Sequence, residues 1–270
     1  MPNYYAHIRF CLEVRKRLSP KLRAILTAER DAYLCGGFGP DPLYFHAAGK
    51  KAGPVRQAGI ELHHRTGAAA MEPFRRPILE QWPYSLSFAA GFLMHYLLDA
   101  HCHPYILSVE ESGEFSHFAL EGEYDRYLMV RDNLSLREAL PKRPLPWPLC
   151  VVAAEMAPAV TPEIYRRALW EFRWTSLRMG GWAGTPLHGV VNAVSRVPPA
   201  RRLRGMILGK QPQPGLEEHL EALDQRISEA VELAEVELGR FLGAVEQDMP
   251  FSQALGRDFA GREVNGHGND

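Results

Sequence analysis

Between Gly91 and Ile106 the chain reads GFLMHYLLDAHCHPYI, and three of its polar side chains, His95, Asp99 and His103, recur every four residues. Each residue of an α-helix advances about 100°, so the three fall within a face about 80° wide. Imidazole and carboxylate are both ligands for divalent cations, so this is a stripe of ligand types. Phe92, Leu93, Met94, Leu97 and Leu98 make the helix apolar on nearly every side, which predicts deep burial. An unpaired charge there costs several kcal/mol or more, so the stripe needs a cation or a full set of partners. His101 projects about 160° from His103 and reads as a neighbour, not a ligand. Pro104 cannot donate to the helical ladder, which places His103 in a last turn.

A second cluster follows in SHFALEGEYD, where His117 and Glu121 are four apart and share a face. Alone, such a pair usually marks a surface helix; here it arrives directly after the first stripe. Upstream, GGFGPDP holds Asp41 between two prolines, a short carboxylate on a stiffened turn. His63 and His64 are adjacent in a helical segment whose apolar stripe runs through Val55, Ala58, Leu62 and Thr66. His63 lies within about 80° of that stripe and His64 nearly opposite, so His63 is the better inward ligand. Near the start, His7 follows PNYYA, and either metal ligation or packing suits it. Pro2 after Met1 predicts removal of the initiator methionine, which leaves the Pro2 amine as one more candidate ligand.

Helices that position these residues are expected at about 4–17, 20–34, 54–71, 83–103, 114–131, 162–179, 187–208 and 216–247, from apolar spacing and start signals. Strand-like alternation and fixed repeats are lacking, so the expected class is all-α. Residues 35–53, 141–149 (PKRPLPWPL) and 209–215 (GKQPQPG) read as connections, and GREVNGHGND as a frayed tail in which His267 takes no role. The long last helix carries a stripe from Leu216 to Leu242 that contributes core. Residues 1–135 then form a metal-binding helical core, 136–258 complete the same domain, and 259–270 are expected to be disordered.

Hydrophobic residues make up 46% of the 270 and charged residues 23%, with a net charge of −1. These totals suit an ordinary soluble protein and call for no nucleic-acid partner. No apolar run approaches the roughly 20 residues that span a bilayer, and the N-terminus lacks a secretory pattern, so a cytoplasmic location is expected. The basic amphipathic segment PPARRLRGMILGK (198–210) reads as a solvated face, with contact to anionic lipid the alternative. Cys11, Cys35, Cys102 and Cys150 form no CxxC pair and read as free thiols, Cys102 as a small buried filler.

Taken in order, YAH, GPD, LH, HYLLDxxCHPY and HxxxE resemble the zinc-dependent phospholipase C family, which is related in fold to nuclease P1. The likeness covers about residues 2–125. It implies a multi-helix bundle of the phospholipase C and P1 nuclease type that holds two or three zinc ions. Asp41, His63, His95 and Asp99 would hold one, and His103, His117 and Glu121 a second. The Pro2 amine, His7 and a bridging Asp99 would hold the third. The implied activity is cleavage of a phosphate ester, such as a phospholipid, by zinc-activated water, with Asp41 or a zinc-bound hydroxide as base or nucleophile. Glu123 and Asp125 would orient ligand imidazoles, or are surface acids. Two departures stand out: the secreted relatives begin with tryptophan, and their interval from bridging aspartate to next histidine exceeds that from Asp99 to His103. Rival expectations are a non-catalytic helical protein with structural zinc and a di-iron carboxylate redox protein, although the latter calls for Glu-x-x-His pairs.

Overall fold

The computed structural model describes residues 4–47, 53–134, 145–181, 186–194, 197 and 211–264. Every regular element among them is helical, and their only β pairing is an isolated antiparallel bridge between Arg257 and Glu263. The helices are α1 (Tyr4–Arg17), α2 (Pro20–Ala28), α3 (Arg30–Gly36), α4 (Pro54–His63), α5 (Gly67–Met71), α6 (Arg75–Leu79), α7 (Ser85–Ser112), α8 (His117–Arg131), α9 (Trp147–Ala154), α10 (Pro162–Gly181), α11 (Pro186–Val194) and α12 (Glu217–Glu246). Short 3-10 turns occupy Asp41–Phe45, Glu72–Phe74 and Gln253–Leu255. No helix of the described residues is long and apolar enough to cross a membrane.

Helix α7 is the axis, with α1, α3, α8 and α12 packed around it. Its apolar sequence explains the position: from Phe88 to Asp99 every side chain is buried. Helix starts follow local chemistry. Ser19, Thr66, Ser116 and Thr161 each accept the N–H three residues on, which satisfies one first-turn donor apiece. Helix α12 lays Leu223, Ile227, Ala230, Val231, Ala234 and Leu238 on the core, the stripe its sequence predicts.

Helices α3 and α7 cross at two glycines. A Cβ on Gly91 would stand 1.9 Å from the Tyr33 carbonyl oxygen, and one on Gly36 2.1 Å from that of Phe88. Backbone cannot yield as a flexible side chain does, so Gly91→Ala is expected to cost about 3 kcal/mol or more in urea denaturation. Gly243→Ala, which meets nothing within 4 Å, is expected to change little.

Several expected boundaries are corrected. The single helix expected at 20–34 breaks at Glu29, whose carboxylate accepts from the Ser87 hydroxyl at 2.6 Å, and α3 sets off along α7. The one expected at 54–71 breaks after His63, because Thr66 is extended to cap α5 and the Gly67 N–H is taken by the Arg257 carbonyl at 3.0 Å. Helix α7 does not stop at Pro104; it runs on to Ser112. A proline inside a helix costs one ladder bond, here the one Ala100 would accept. The continued burial of Ile106 and Val109 outweighs that loss. The proline-rich connection expected at 141–149 contains the start of α9, with Pro148 in a first turn that needs no donor there. The expected helix at 187–208 is described from Pro186 to Val194; the basic segment 198–210 lies outside the described residues, as do Pro2 and His267.

Candidate metal centre

Four elements deliver the ligand-type side chains to one place beside the middle of α7. Helix α1 brings His7, the Asp41–Phe45 turn brings Asp41, the end of α4 brings His63, and α8 brings His117 and Glu121. They meet the His95, Asp99 and His103 stripe in three groups: His7, His95 and Asp99; Asp41, His63 and His95; His103, His117 and Glu121. Within each group the ligand atoms lie within 4.8 Å of one another.

Asp99 is the hub. Its Oδ1 faces His7 Nε2 at 3.3 Å, and its Oδ2 faces His95 Nε2 at 3.3 Å, His103 Nδ1 at 3.9 Å and His63 Nε2 at 4.0 Å. Asp41 Oδ1 lies 3.2 Å from His63 Nε2. Glu121 Oε1 lies 3.0 Å from His117 Nε2 and 3.3 Å from His103 Nε2. The expected first group therefore divides, with His95 shared between two clusters. The second group assembles as expected.

Three of the imidazoles are held the same way. His95 Nδ1 donates to the Gly37 carbonyl at 3.2 Å, His63 Nδ1 to that of Gly59 at 2.8 Å, and His103 Nδ1 to that of Phe259 at 2.9 Å. With the proton fixed on Nδ1, each Nε2 lone pair points into the cluster, which is how metal-ligating histidines are oriented. His95 Nε2 is buried and makes no hydrogen bond of its own. The donor set is thus five imidazoles and three carboxylates, a nitrogen and oxygen set that fits zinc. Asp99 and Glu121 are buried and Asp41 is partly exposed, and bound cations would offset the negative charge that these three carboxylates concentrate there.

Without a cation, protons serve instead. Burial lowers the His7 pKa, but Asp99 outweighs it and the net shift is upward. His63 rises against burial through Asp41, and His117 through Glu121. His103 is pushed up to about 10, burial being overcome by Asp99 and then Glu121. His95 moves down, because burial dominates and His7 adds to it. Asp99 and Glu121 are held well below the usual carboxylate range: burial opposes this, but the surrounding imidazoles win.

Neighbouring polar residues take other roles. His64 is exposed at the end of α4, 3.5 Å from Arg262 Nη2, and His101 turns to Glu229 on α12 at 3.4 Å. Asp125, expected beside an imidazole or on the surface, instead accepts the Tyr5 and Ala6 N–H groups at 3.1 and 2.9 Å. It caps α1 and so fixes His7 through the backbone. Burial raises its pKa to about 7, although those two amides pull it down. Glu123 is buried and lies 3.5 Å from Arg126, not from a ligand histidine.

The turn after the last helices belongs to the site, which corrects the expectation of disorder for residues 259–264; residues 265–270 lie outside the described residues. Phe259 is 1% exposed, and its ring packs on His63, His95 and Tyr96 with centroids 5.0, 5.9 and 5.1 Å away. Its N–H donates to the His63 carbonyl at 3.2 Å. Asp258 builds this turn by accepting the Ala260 and Arg262 N–H groups at 2.9 and 2.8 Å. Gly261 then covers the gap left by Pro104: a Cβ there would stand 2.6 Å from the Ala100 carbonyl oxygen. Asp258→Ala is expected to keep the fold and, by loosening the Phe259 carbonyl that holds His103, to weaken the binding of a divalent cation about 10- to 100-fold. Competition against a chromogenic chelator measures this, and unchanged affinity would mean that the turn does not hold His103.

The loop before Asp41 is fitted to the site as tightly. Gly39 has φ of +52°, and a Cβ there would fall 2.2 Å from the His95 ring. Sequence reasoning marked GGFGPDP for its aspartate and missed this contact, as it missed Tyr44, whose hydroxyl lies 2.8 Å from His63 Nδ1. Comparison with protein-family models, curated proteins and solved structures finds no match to this chain.

Proposed function

We propose that the chain is a zinc-dependent hydrolase of phosphate esters, of the phospholipase C and nuclease P1 type, acting on a phosphodiester or phosphomonoester. The observation that carries this reading is the common anchoring of His63, His95 and His103, each with Nδ1 on a backbone carbonyl and Nε2 turned toward clustered carboxylates. Adjacent divalent cations would supply charge neutralisation for phosphate oxygens and a water acidic enough to attack near neutral pH.

The chain's own residues divide the remaining work by depth. His7, His95 and Asp99 have side chains 3%, 0% and 7% exposed, and they form a closed floor that excludes water. Asp41, His63 and His117 are 17%, 16% and 25% exposed, so substrate reaches the centre along that edge. With Oδ1 turned to His63, the Asp41 carboxylate keeps Oδ2 to accept a proton from the attacking water. The Phe259 ring and the Tyr44 hydroxyl fix the His63 plane beside it. Phospholipid is the substrate class we propose first, with soluble phosphate esters and nucleotides as the comparison.

The test is a panel of p-nitrophenyl phosphate, bis-p-nitrophenyl phosphate, phosphatidylcholine and a mononucleotide, assayed before zinc removal, after it, and after zinc is restored. Turnover that disappears and returns with zinc is expected for at least one ester. Tight zinc binding with no turnover of any of them would make the centre structural.

A further inference from the structure

Away from the metal centre, three tryptophans stand in water: Trp147, Trp170 and Trp174 are 45%, 41% and 56% exposed. Two of them belong to a pattern. Arg166, Trp170, Trp174 and Arg178 recur every four residues along α10, and all four are exposed. They form one stripe about 18 Å long, cationic at both ends and aromatic between. Trp147 joins it from α9, where the Arg166 guanidinium lies 5.7 Å from its ring centre. Arg173 and Arg178 lie 6.0 and 3.3 Å from the Trp170 and Trp174 rings.

The fold does not need these indoles. Helix α10 is anchored by its opposite face, where Phe172 packs on Tyr4, Phe38 and Phe45 at 5.7, 5.3 and 5.2 Å. The Arg166 charge is felt by Glu163 on the same helix, but among the described residues no close ion pair forms along the stripe. Among the described residues Arg166, Arg173 and Arg178 form no ion pair with a carboxylate. The two acids of α10 are engaged, Glu171 by Arg167 Nε and the Ala47 N–H at 2.8 Å each, and Glu163 by the Thr161 hydroxyl.

We propose that this outward face of α10, with Trp147, docks the protein on an anionic phospholipid surface. Indole places an apolar body and an N–H donor at the depth where headgroups meet acyl chains, and guanidinium pairs with the phosphates above it. Guanidinium at both ends of the stripe with indole between matches anionic headgroups above an acyl interface, and a protein partner, whose interfaces also favour Trp and Arg, is the alternative that the test separates. Docking stands apart from hydrolysis and needs no metal.

Co-sedimentation with vesicles tests it, using phosphatidylcholine–phosphatidylglycerol mixtures against phosphatidylcholine alone. The wild-type protein is expected to sediment with the mixed vesicles, to bind pure phosphatidylcholine more weakly, and to be released by salt. Trp170→Ala/Trp174→Ala and Arg166→Glu/Arg178→Glu are each expected to weaken binding by about tenfold or more, with melting temperature and metal content unchanged because the side chains are exposed. Asp99→Asn is expected to sediment as wild type, so loss of the metal centre and loss of docking read out separately. Wild-type protein that ignores anionic vesicles, or variants that sediment like it, would overturn the proposal, as would a stripe that captures a protein and no lipid.

Discussion

Asp99→Asn is expected to empty more than one metal position at once and to lower phosphate-ester hydrolysis by about a thousandfold or more, while His101→Ala leaves both metal content and rate unchanged. The contrast follows from geometry four residues wide. The Asp99 carboxylate faces four imidazoles, those of His7 and His95 at 3.3 Å and those of His103 and His63 at 3.9 and 4.0 Å. Asparagine keeps the shape and removes the charge, so every metal position that shares Asp99 would lose an anionic ligand in a place that is 6% exposed. The thousandfold figure corresponds to about 4 kcal/mol of lost transition-state stabilisation, within what a metal ion supplies as Lewis acid. His101 lies two residues away in sequence but pairs with Glu229 on α12. Metal analysis and steady-state rates on the two variants check this, and an Asp99→Asn protein that keeps its full metal content would remove Asp99 from the hub.

The metal-free protein is expected to lose stability steadily from about pH 6 to pH 10, and the metal-loaded protein to hold or gain over the same range. His7, His63, His103 and His117 carry raised pKa values in the fold; each is opposed by burial and driven up by Asp99, Asp41 or Glu121. Such a group contributes stability that is fully present below its unfolded value of about 6.5 and is lost as pH climbs through the folded value. For His103 that value is about 10, which sets the upper end of the window. Asp125 acts in the same direction at lower pH, because burial raises it to about 7 and the fold favours its neutral form. Asp99 and Glu121 act oppositely: they are depressed by the imidazoles, so their contribution is present above about pH 4 and lost in acid. The metal-free optimum therefore sits near pH 5–6. The alkaline loss should reach a few kcal/mol, or about 10 °C in melting temperature. A cation held by this cluster would require neutral imidazoles, so its affinity should rise where the protons leave. Melting curves with and without zinc across this range give the answer directly, and parallel curves would mean that protons and metal do not compete for one cluster.

Much of this site is legible in the sequence because helical spacing is a local rule. His95, Asp99 and His103 on one stripe, His117 with Glu121 on another, and the choice of His63 over His64 all follow from the advance per residue, and the structure places them together. What escaped detection acts over distance or through backbone. The Phe259 carbonyl that holds His103 carries no side-chain signature and comes from 156 residues downstream. The Asp125 cap on α1 spans 120 residues. Pro104 misled for a related reason: the rule that proline ends helices is local, whereas burial of Ile106 and Val109 and the cover from Gly261 are tertiary. The break between α4 and α5 likewise depends on the Arg257 carbonyl, which no periodicity near His63 announces.

The central claim is that Asp41, Asp99 and Glu121 with five histidines form one multinuclear metal centre. The most direct measurement is the zinc content per chain of protein purified without chelator, by inductively coupled plasma mass spectrometry. Two or three ions per chain are expected, falling together in Asp99→Asn. Less than about one ion per chain, in protein that remains folded and is offered zinc, would contradict it.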